Sequence, residues 1–575
     1  MSNEEASVQR TQHAFLVAWG WFAEEIGLIQ KIQAVALKQK TYTHSPHSKV
    51  LEFFVGTLAG MEHLQELSRS AHPLDQDEAV AKAWGQSGWA DYSGVSRTLS
   101  GLSWAEAQAI VTVLEEVSQP YLQAEIQRLR QSGERLRIDG DLTGLPVSNT
   151  SRTYPNAAYG HMDDEIRLGY QAGVVSLVSP TYGRVWLSAM HHSGDTISST
   201  QAEGLVLEAE RRLGERPKRR TDLLQKRIED LEPYLQKIQE RLNVQQKAIK
   251  CAQERLDETQ RQIQEQQTRL NDLEKYYQAR QRKERSTSQL AKARQRIQML
   301  VRRLKRRETA RLSANRRLAK TQAHWKEAQT EKVGLQERLK RFEQDNASNP
   351  DPVEAECRLD AGFGSYQNVA LLIEMGYEVY TKSPSQLLTN FLKQQIDAHS
   401  TYTRVGANAE MFAWPKRLLA NCPYPLDVAV ERFYTGSTLK HSTLLHYGVD
   451  PVTQDLPKWF NHYNGRQIIE AGIKEGKQVF FLHKIKVRSE PAIYLQECCV
   501  LFAANFIRWA SCWLAEQAQP VKHALDVRKL GIKRQVQVAA HVSAQVIRNS
   551  EGRLLKFSSH SAFAGKVLQL PGGRP

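Results

Sequence analysis

Apolar residues recur along this chain at periods that change several times, and each change marks a new region. Through residues 1–130 the spacing is helical. HAFLVAWGWFAEEIGLIQKI and KVLEFFVGTLAGMEHLQEL repeat apolar side chains every three or four residues. Ser103 with Glu106 forms a capping box that opens a helix over WAEAQAIVTVLEEV. Between them, DYSGVSRTLSGLS has the local form of a short recognition helix beside a glycine turn; a plain helical bundle is the competing reading. From residue 131 the period shortens. RLRIDGDL alternates, and EIRLGYQAGVVSLVSP and YGRVWLSAMHH are β-rich runs closed by Gly or Pro. STQAEGLVLEAERRL returns to helix, and after residue 350 come the strand CRLD, a helix and the strand EVYTK. Residues 383–460 carry TRVGANAEMFAWP, LDVAVERFYTG and KHSTLLHYG, three short strand-like runs. SEPAIYLQECCVLFAANFIRWASCWLAEQ is an apolar helix suited to packing under a sheet, and residues 519–575 mix short strand-like runs with polar turns.

The most regular segment is 206–345. Ile228, Leu235, Leu242, Ile249, Leu256, Ile263, Leu270 and Tyr277 recur every seven residues, with Leu231, Ile238, Ala252 and Leu273 between them. Leu290, Ile297, Leu304, Leu318, Trp325 and Leu339 mark a second arm, and polar QRKERSTS separates the two. The pattern predicts an antiparallel coiled-coil hairpin about 90 Å long at helical rise, with Pro233 kinking its base. Two helices reaching separate protomers fit the same pattern.

Composition then narrows the partner. At 575 residues the chain is long enough for two to four domains, and 41% hydrophobic residues supply cores. A formal charge of +15 points to an anionic partner, nucleic acid before membrane surface. The charge is concentrated: residues 281–320 hold fifteen Lys or Arg against Glu284 and Glu308. Arg302, Arg303, Lys305, Arg306 and Arg307 are candidates for tracking a phosphate backbone. Six cysteines without a C-x-x-C pair indicate neither a zinc site nor a disulfide framework. With no uncharged 18-residue apolar run and no signal-peptide pattern, the chain reads as soluble and intracellular.

Candidate chemistry centres on YNGRQIIEAGIKEGK, residues 463–477. On one helix, Tyr463, Arg466, Glu470 and Lys477 fall within about 60° of one another. A carboxylate beside two cations and a phenol suits metal ligation by Glu470 and phosphate binding by Arg466 and Lys477; solvated charge pairing is the plainer reading. The spacing Tyr-x2-Arg-x3-Glu-x6-Lys resembles the Y-R-E-K signature of a bacterial insertion-sequence group of DDE transposases. Upstream, RLRIDGDLTGLP (135–146) resembles the strand carrying the first catalytic Asp of that group, and RLDAGFGSYQNVALLIEMGYEVYTK (358–382) the segment carrying the second. The three motifs stand in the family's order.

The resemblance implies an α/β ribonuclease H-like catalytic core. Its parts are an N-terminal all-α DNA-binding domain (1–130), core segments at 131–205, 350–382 and 461–518, a coiled-coil insertion (206–345), a β-rich insertion (383–460) and a basic C-terminal region (519–575). The implied catalytic and metal-binding residues are Asp141, Asp360 and Glu470, holding two Mg²⁺ ions with Mn²⁺ as substitute. Asp139 lies on the same strand face as Asp141 and is the fallback first carboxylate. Tyr463, Arg466 and Lys477 are expected on phosphates of a cleaved end, and Trp414, less so Trp459, on an unpaired base, a core tryptophan being the plainer reading of both. The implied activity is cut-and-paste transposition: end cleavage by way of a hairpin, then strand transfer. A homodimer would act on double-stranded DNA, both the terminal inverted repeats and the target, in the bacterial cytoplasm at the nucleoid. The insertion at 206–345 departs from the family pattern, in which the interruption falls between the second Asp and the Glu. Asp163, Asp164 and Glu165 read as a solvated turn, and His191 and His192 as an ordinary strand-end pair. A transposase-derived DNA-binding protein without mobility is the alternative. A coiled-coil ATPase lacks its required G-x-x-x-x-G-K-[ST] loop here.

Overall fold

The alternation of RLRIDGDL becomes strand Leu136–Pro146, set inside a mixed ten-stranded sheet. It pairs antiparallel with Glu165–Ser179 on one side and parallel with Ala355–Leu359 on the other. Gly183–Ser193 lies antiparallel to Glu165–Ser179, and Glu378–Lys382 parallel to Ala355–Leu359. The parallel pair needs a crossover, which helix Tyr366–Glu374 supplies. The computed structural model describes every residue except 1–6, 40–42, 150–153, 163–164, 398, 421, 550–551 and 572–575. Asp163 and Asp164 thus lie outside the described residues, while Glu165 opens a strand and pairs with Arg167. The short hairpin strand Ala158–Met162, paired with Glu165–Gly169, has no counterpart in the sequence reading.

The strand-like runs of 383–460 form strands, but not a sheet of their own. Thr438–Tyr447 adds antiparallel to Glu378–Lys382, and Leu426–Thr435, Ala409–Arg417 and Thr403–Arg404 follow outward. The edge that Glu378–Lys382 would otherwise expose is thereby paired.

Helix Glu490–Gln517 is long and apolar enough to cross a membrane by composition, yet most of it is buried inside the protein. Its Phe502 and Phe506 meet Phe54 and Phe22 of the N-terminal helices. Asn505, buried in the same helix, accepts from the Trp186 amide at 2.9 Å and donates to its carbonyl at 2.8 Å. These bonds serve a strand interrupted there by a bulge between Trp186 and Ser188.

The N-terminal helices are Ala14–Glu25, Leu28–Gln33, Pro46–Leu58, Tyr92–Ser100 and Trp104–Gln131, with shorter turns between. The Ser103–Glu106 capping box is formed. Gly27 at φ +71° divides the first predicted helix in two, a conformation costly for other residues. The region is not all-α. Ser7–Thr11 pairs antiparallel with Ala544–Asn549, and with Gly552–Phe557 and Val567–Leu570 makes a separate four-stranded antiparallel sheet. A five-residue strand whose partner lies at the far end of the chain leaves no local period to read.

Residues 219–350 form a second compact unit, a hairpin of helices Thr221–Ala279 and Gln289–Ala347. The helix runs unbroken through Pro233. Helix Ala202–Leu213, the helix expected after the first three strands, packs whole on the central sheet, so the boundary at 206 falls inside it. In the second arm the most buried positions are Leu290, Ala293, Leu300, Thr321, Ala328, Leu335 and Phe342. Most of these belong to the companion heptad series, hidden from hydrophobic pattern reading by Ala and Thr.

Beneath the extended sheet, His446 is fully buried between Asp427 (Nδ1, 2.9 Å) and Glu378 (Nε2, 2.8 Å). Burial lowers its pKa, but the two carboxylates outweigh it and the net shift is upward. Asp427 is lowered against its burial by bonds from His446 and the Lys416 amide. The His446 contribution to stability is complete below the unfolded value of 6.5 and is lost as pH rises through the raised folded value. That of Asp427 is present above 3.8 and lost as pH falls through its lowered folded value. Melting temperature is therefore expected to fall as pH rises above 6.5, with a weaker fall in His446→Gln. Thermal melts across that pH range check this.

Candidate active site

Parallel pairing sets the site. The register that matches Gly140 with Leu359 brings Asp141 and Asp360 to neighbouring positions where the strand Ala355–Leu359 ends. Helix Gln467–Val479 adds Glu470, and all three carboxylates line one cleft of about 960 Å³. Lys474 and Lys477, one and two turns beyond Glu470 on the same helix, line the cleft with Thr143, Gln171, Asp195 and Ser198. Lys474 was missed by the sequence reading, although its i+4 spacing from Glu470 was visible.

The predicted four-residue stripe is not a single helix. Leu456–Asn464 and Gln467–Val479 are separated by a tight turn at Gly465 and Arg466. Glu470 and Lys477 face the cleft, whereas Tyr463 and Arg466 are buried and do not line it. The Tyr463 hydroxyl lies 3.4 Å from the Leu359 carbonyl and against Arg466. Arg466 in turn reaches Asp141 Oδ2 at 3.4 Å and pairs with Glu470 Oε1.

Asp139 is engaged elsewhere. Both its oxygens accept from Arg358, from Nε and Nη2 at 2.7 Å each, and both partners are almost fully buried. Arg358 Nη1 also donates to the His462 carbonyl at 2.7 Å, tying the helix before the turn to the strand. A Cβ at Gly465 would lie 2.7 Å from that nitrogen. On the other side, buried Arg184 donates to the Ile468 carbonyl, and a Cβ at Gly472 would strike its guanidinium. The two glycines in the motif thus admit two arginines, Arg358 fixing the helix before the turn and Arg184 the helix carrying Glu470. Arg358 opens the segment that carries Asp360, but nothing in that segment marks it as the partner of Asp139, and Arg184 lies in no motif; the glycines were the available signal.

Burial and the neighbouring Asp360 push Asp141 up to about 7, against the pull of Arg466. Asp360 is raised too, chiefly by burial. Its Oδ1 is buried without a hydrogen-bond partner, an expensive arrangement for a carboxylate. Two adjacent, mostly buried carboxylates with an unsatisfied oxygen offer the hard oxygen ligands that a divalent cation prefers. Among the described residues no three His, Cys, Asp or Glu side chains are arranged to hold one ion, since Glu470 is drawn onto Arg466.

Trp459 is 1% exposed and packs with Tyr380, Met411 and Tyr463, so it offers no face to a base. Trp414 is half-buried on strand Ala409–Arg417, edge-on to Phe412 at 4.9 Å and under Arg417 at 5.0 Å. His191 is buried against Glu497 at 2.8 Å. All six cysteines are free. No protein-family model matches the chain, and no curated protein matches it.

Proposed function

We propose that the chain is a DNA transposase of the DDE type, cutting the ends of an insertion sequence and joining them to target DNA. The observation that carries this is the convergence of Asp141, Asp360 and Glu470, from three separated segments, on one cleft that Lys474 and Lys477 also line. The strand arrangement, three antiparallel strands followed by two parallel ones, supports a ribonuclease H-like core. Asp141 and Asp360, with Glu470 once released from Arg466, would hold Mg²⁺ or Mn²⁺. When bound, such ions acidify an attacking water and stabilise a leaving 3′ oxygen.

The remaining roles belong to the chain itself. Lys474 and Lys477 set ammonium groups along the cleft wall, where a phosphodiester beside Glu470 passes. Arg466, backed by Tyr463, pairs with Asp141 and Glu470 and would exchange them for a phosphate of the cut end. Trp414, held by Phe412 and Arg417, offers a half-open indole to an unpaired base. The reading requires a homodimer to pair two element ends.

The test is excision from DNA carrying the gene with its native flanks, using purified protein, Mg²⁺ or Mn²⁺, and Glu470→Gln in parallel. A discrete fragment released by the wild type alone is the expected result. Release by both proteins would remove Glu470 from the site. The second reading, a DNA-binding descendant without mobility, is favoured by the Arg466 bridge between Asp141 and Glu470. Salt-sensitive binding with no cleavage by either protein would establish it over the first.

A further inference from the structure

The hairpin carries its charge on one helix. Residues 251–280, the distal half of the first arm with its end, hold five Lys or Arg against six Asp or Glu, whereas 281–320 hold fifteen against two. The paired helices therefore have one near-neutral side and one strongly cationic side. Towards the hairpin base the two arms are stitched by ion pairs: Arg219–Asp345 at 2.9 Å, Arg227–Glu331 at 2.7 Å and Lys332–Glu232 at 2.8 Å. Further out, Arg302, Arg303, Lys305 and Arg306 are exposed and form no ion pair among the described residues. The same holds for Arg316 and Lys320.

Not every cation in the run is available. Arg307 and Arg311 occupy successive seam positions and turn inward, Arg307 to the Arg255 carbonyl and Thr259 hydroxyl, Arg311 to Gln253. Arg307, a candidate DNA ligand from the sequence, is a seam residue. The outward cations follow a different rule. Arg302 and Arg306 are four apart, Arg303 and Arg306 three, and Arg316 and Lys320 four, so each pair sits on adjacent turns and repels. A coiled-coil surface built for stability alone pairs opposite signs, as the base of this hairpin does between its two arms.

We infer that the outer face of helix Gln289–Ala347 is a binding surface for the phosphate backbone of duplex DNA, separate from the cleft. The inference rests on the transposase reading only in taking DNA as the partner. Charge complementarity selects that occupant: closely spaced phosphates are the match for a cationic stripe that lacks carboxylate partners, and neutralising them releases counterions.

The experiment is a salt titration of the full chain on a labelled random-sequence duplex. It compares the wild type with Arg302→Gln/Arg303→Gln/Lys305→Gln/Arg306→Gln and with Arg316→Gln/Arg317→Gln/Lys320→Gln. Gln matches Arg and Lys in helix propensity, so circular dichroism and melting should be unchanged. If each of the four cations meets a phosphate, the slope of log K against log salt falls by about 3–4 in the first variant. In Arg307→Met the slope stays, because that residue serves the seam. An unchanged slope in both multiple variants overturns the inference. So does a loss of self-association with DNA binding intact, which would assign the face to a second copy. Glu470→Gln separates the two readings: full slope without cleavage leaves the hairpin surface standing whatever becomes of the catalytic one.

Discussion

Asp141→Asn and Asp360→Asn are each expected to lower metal-dependent strand cleavage by about 10³-fold or more while leaving the melting temperature at or above that of the wild type. The two effects share a cause. Asp141 is held up to about 7 by burial and by Asp360, so its ionised form is disfavoured in the fold. A neutral amide of the same shape removes the like-charge repulsion and costs only a long contact to Arg466 at 3.4 Å. What stabilises the fold is what the chemistry loses, because an amide is a poor ligand for a hard cation. Single-turnover cleavage beside a thermal melt checks both halves. Retained cleavage in Asp141→Asn would remove Asp141 from the site, and a large drop in melting temperature would mean that its charge is structural. Chelation of the metal should reproduce the activity loss in the wild type and leave salt-sensitive duplex binding in place.

Local pattern carried the reading as far as local pattern reaches. Period-two runs located the strands that hold Asp141 and precede Asp360, because side chains that alternate between two environments must alternate in polarity. The capping box at Ser103 and the heptads of the hairpin were legible for the same reason: each is a constraint between residues a few positions apart. The strand Ser7–Thr11 was not, since its partner Ala544–Asn549 is fixed by tertiary packing alone. The stripe at 463–477 shows the limit at the site. Its spacing predicted one helical face, but Gly465 lets Arg358 approach the backbone, and the chain turns there. The turn drops Tyr463 and Arg466 beneath the cleft while Glu470, Lys474 and Lys477 line it.

The approach of Arg358 has the largest consequence for stability. Arg358→Met is expected to destabilise the protein by about 3–5 kcal/mol, since it leaves the Asp139 carboxylate buried and unpaired. Asp139 is 1% exposed and accepts both its hydrogen bonds from this one guanidinium. The His462 carbonyl loses its bond from Arg358 as well, adding about 1 kcal/mol. Replacing both partners, as Asp139→Leu with Arg358→Met, should recover most of the loss, because an apolar pair carries no desolvation cost. The double variant should still cleave poorly. Arg358 ties strand Ala355–Leu359 to the helix that precedes Arg466 and Glu470, and apolar packing does not restore that tie. Urea denaturation followed by tryptophan fluorescence reads this directly, since every tryptophan except Trp325 lies outside the hairpin. The comparison also separates the two aspartates of the first strand. Asp139→Asn should unfold early and retain metal-dependent chemistry while folded, the reverse of Asp141→Asn. If Asp139→Asn melts like the wild type and does not cleave, the roles of the two carboxylates are exchanged, and Arg358 is a counter-ion to the active site rather than a strut beneath it.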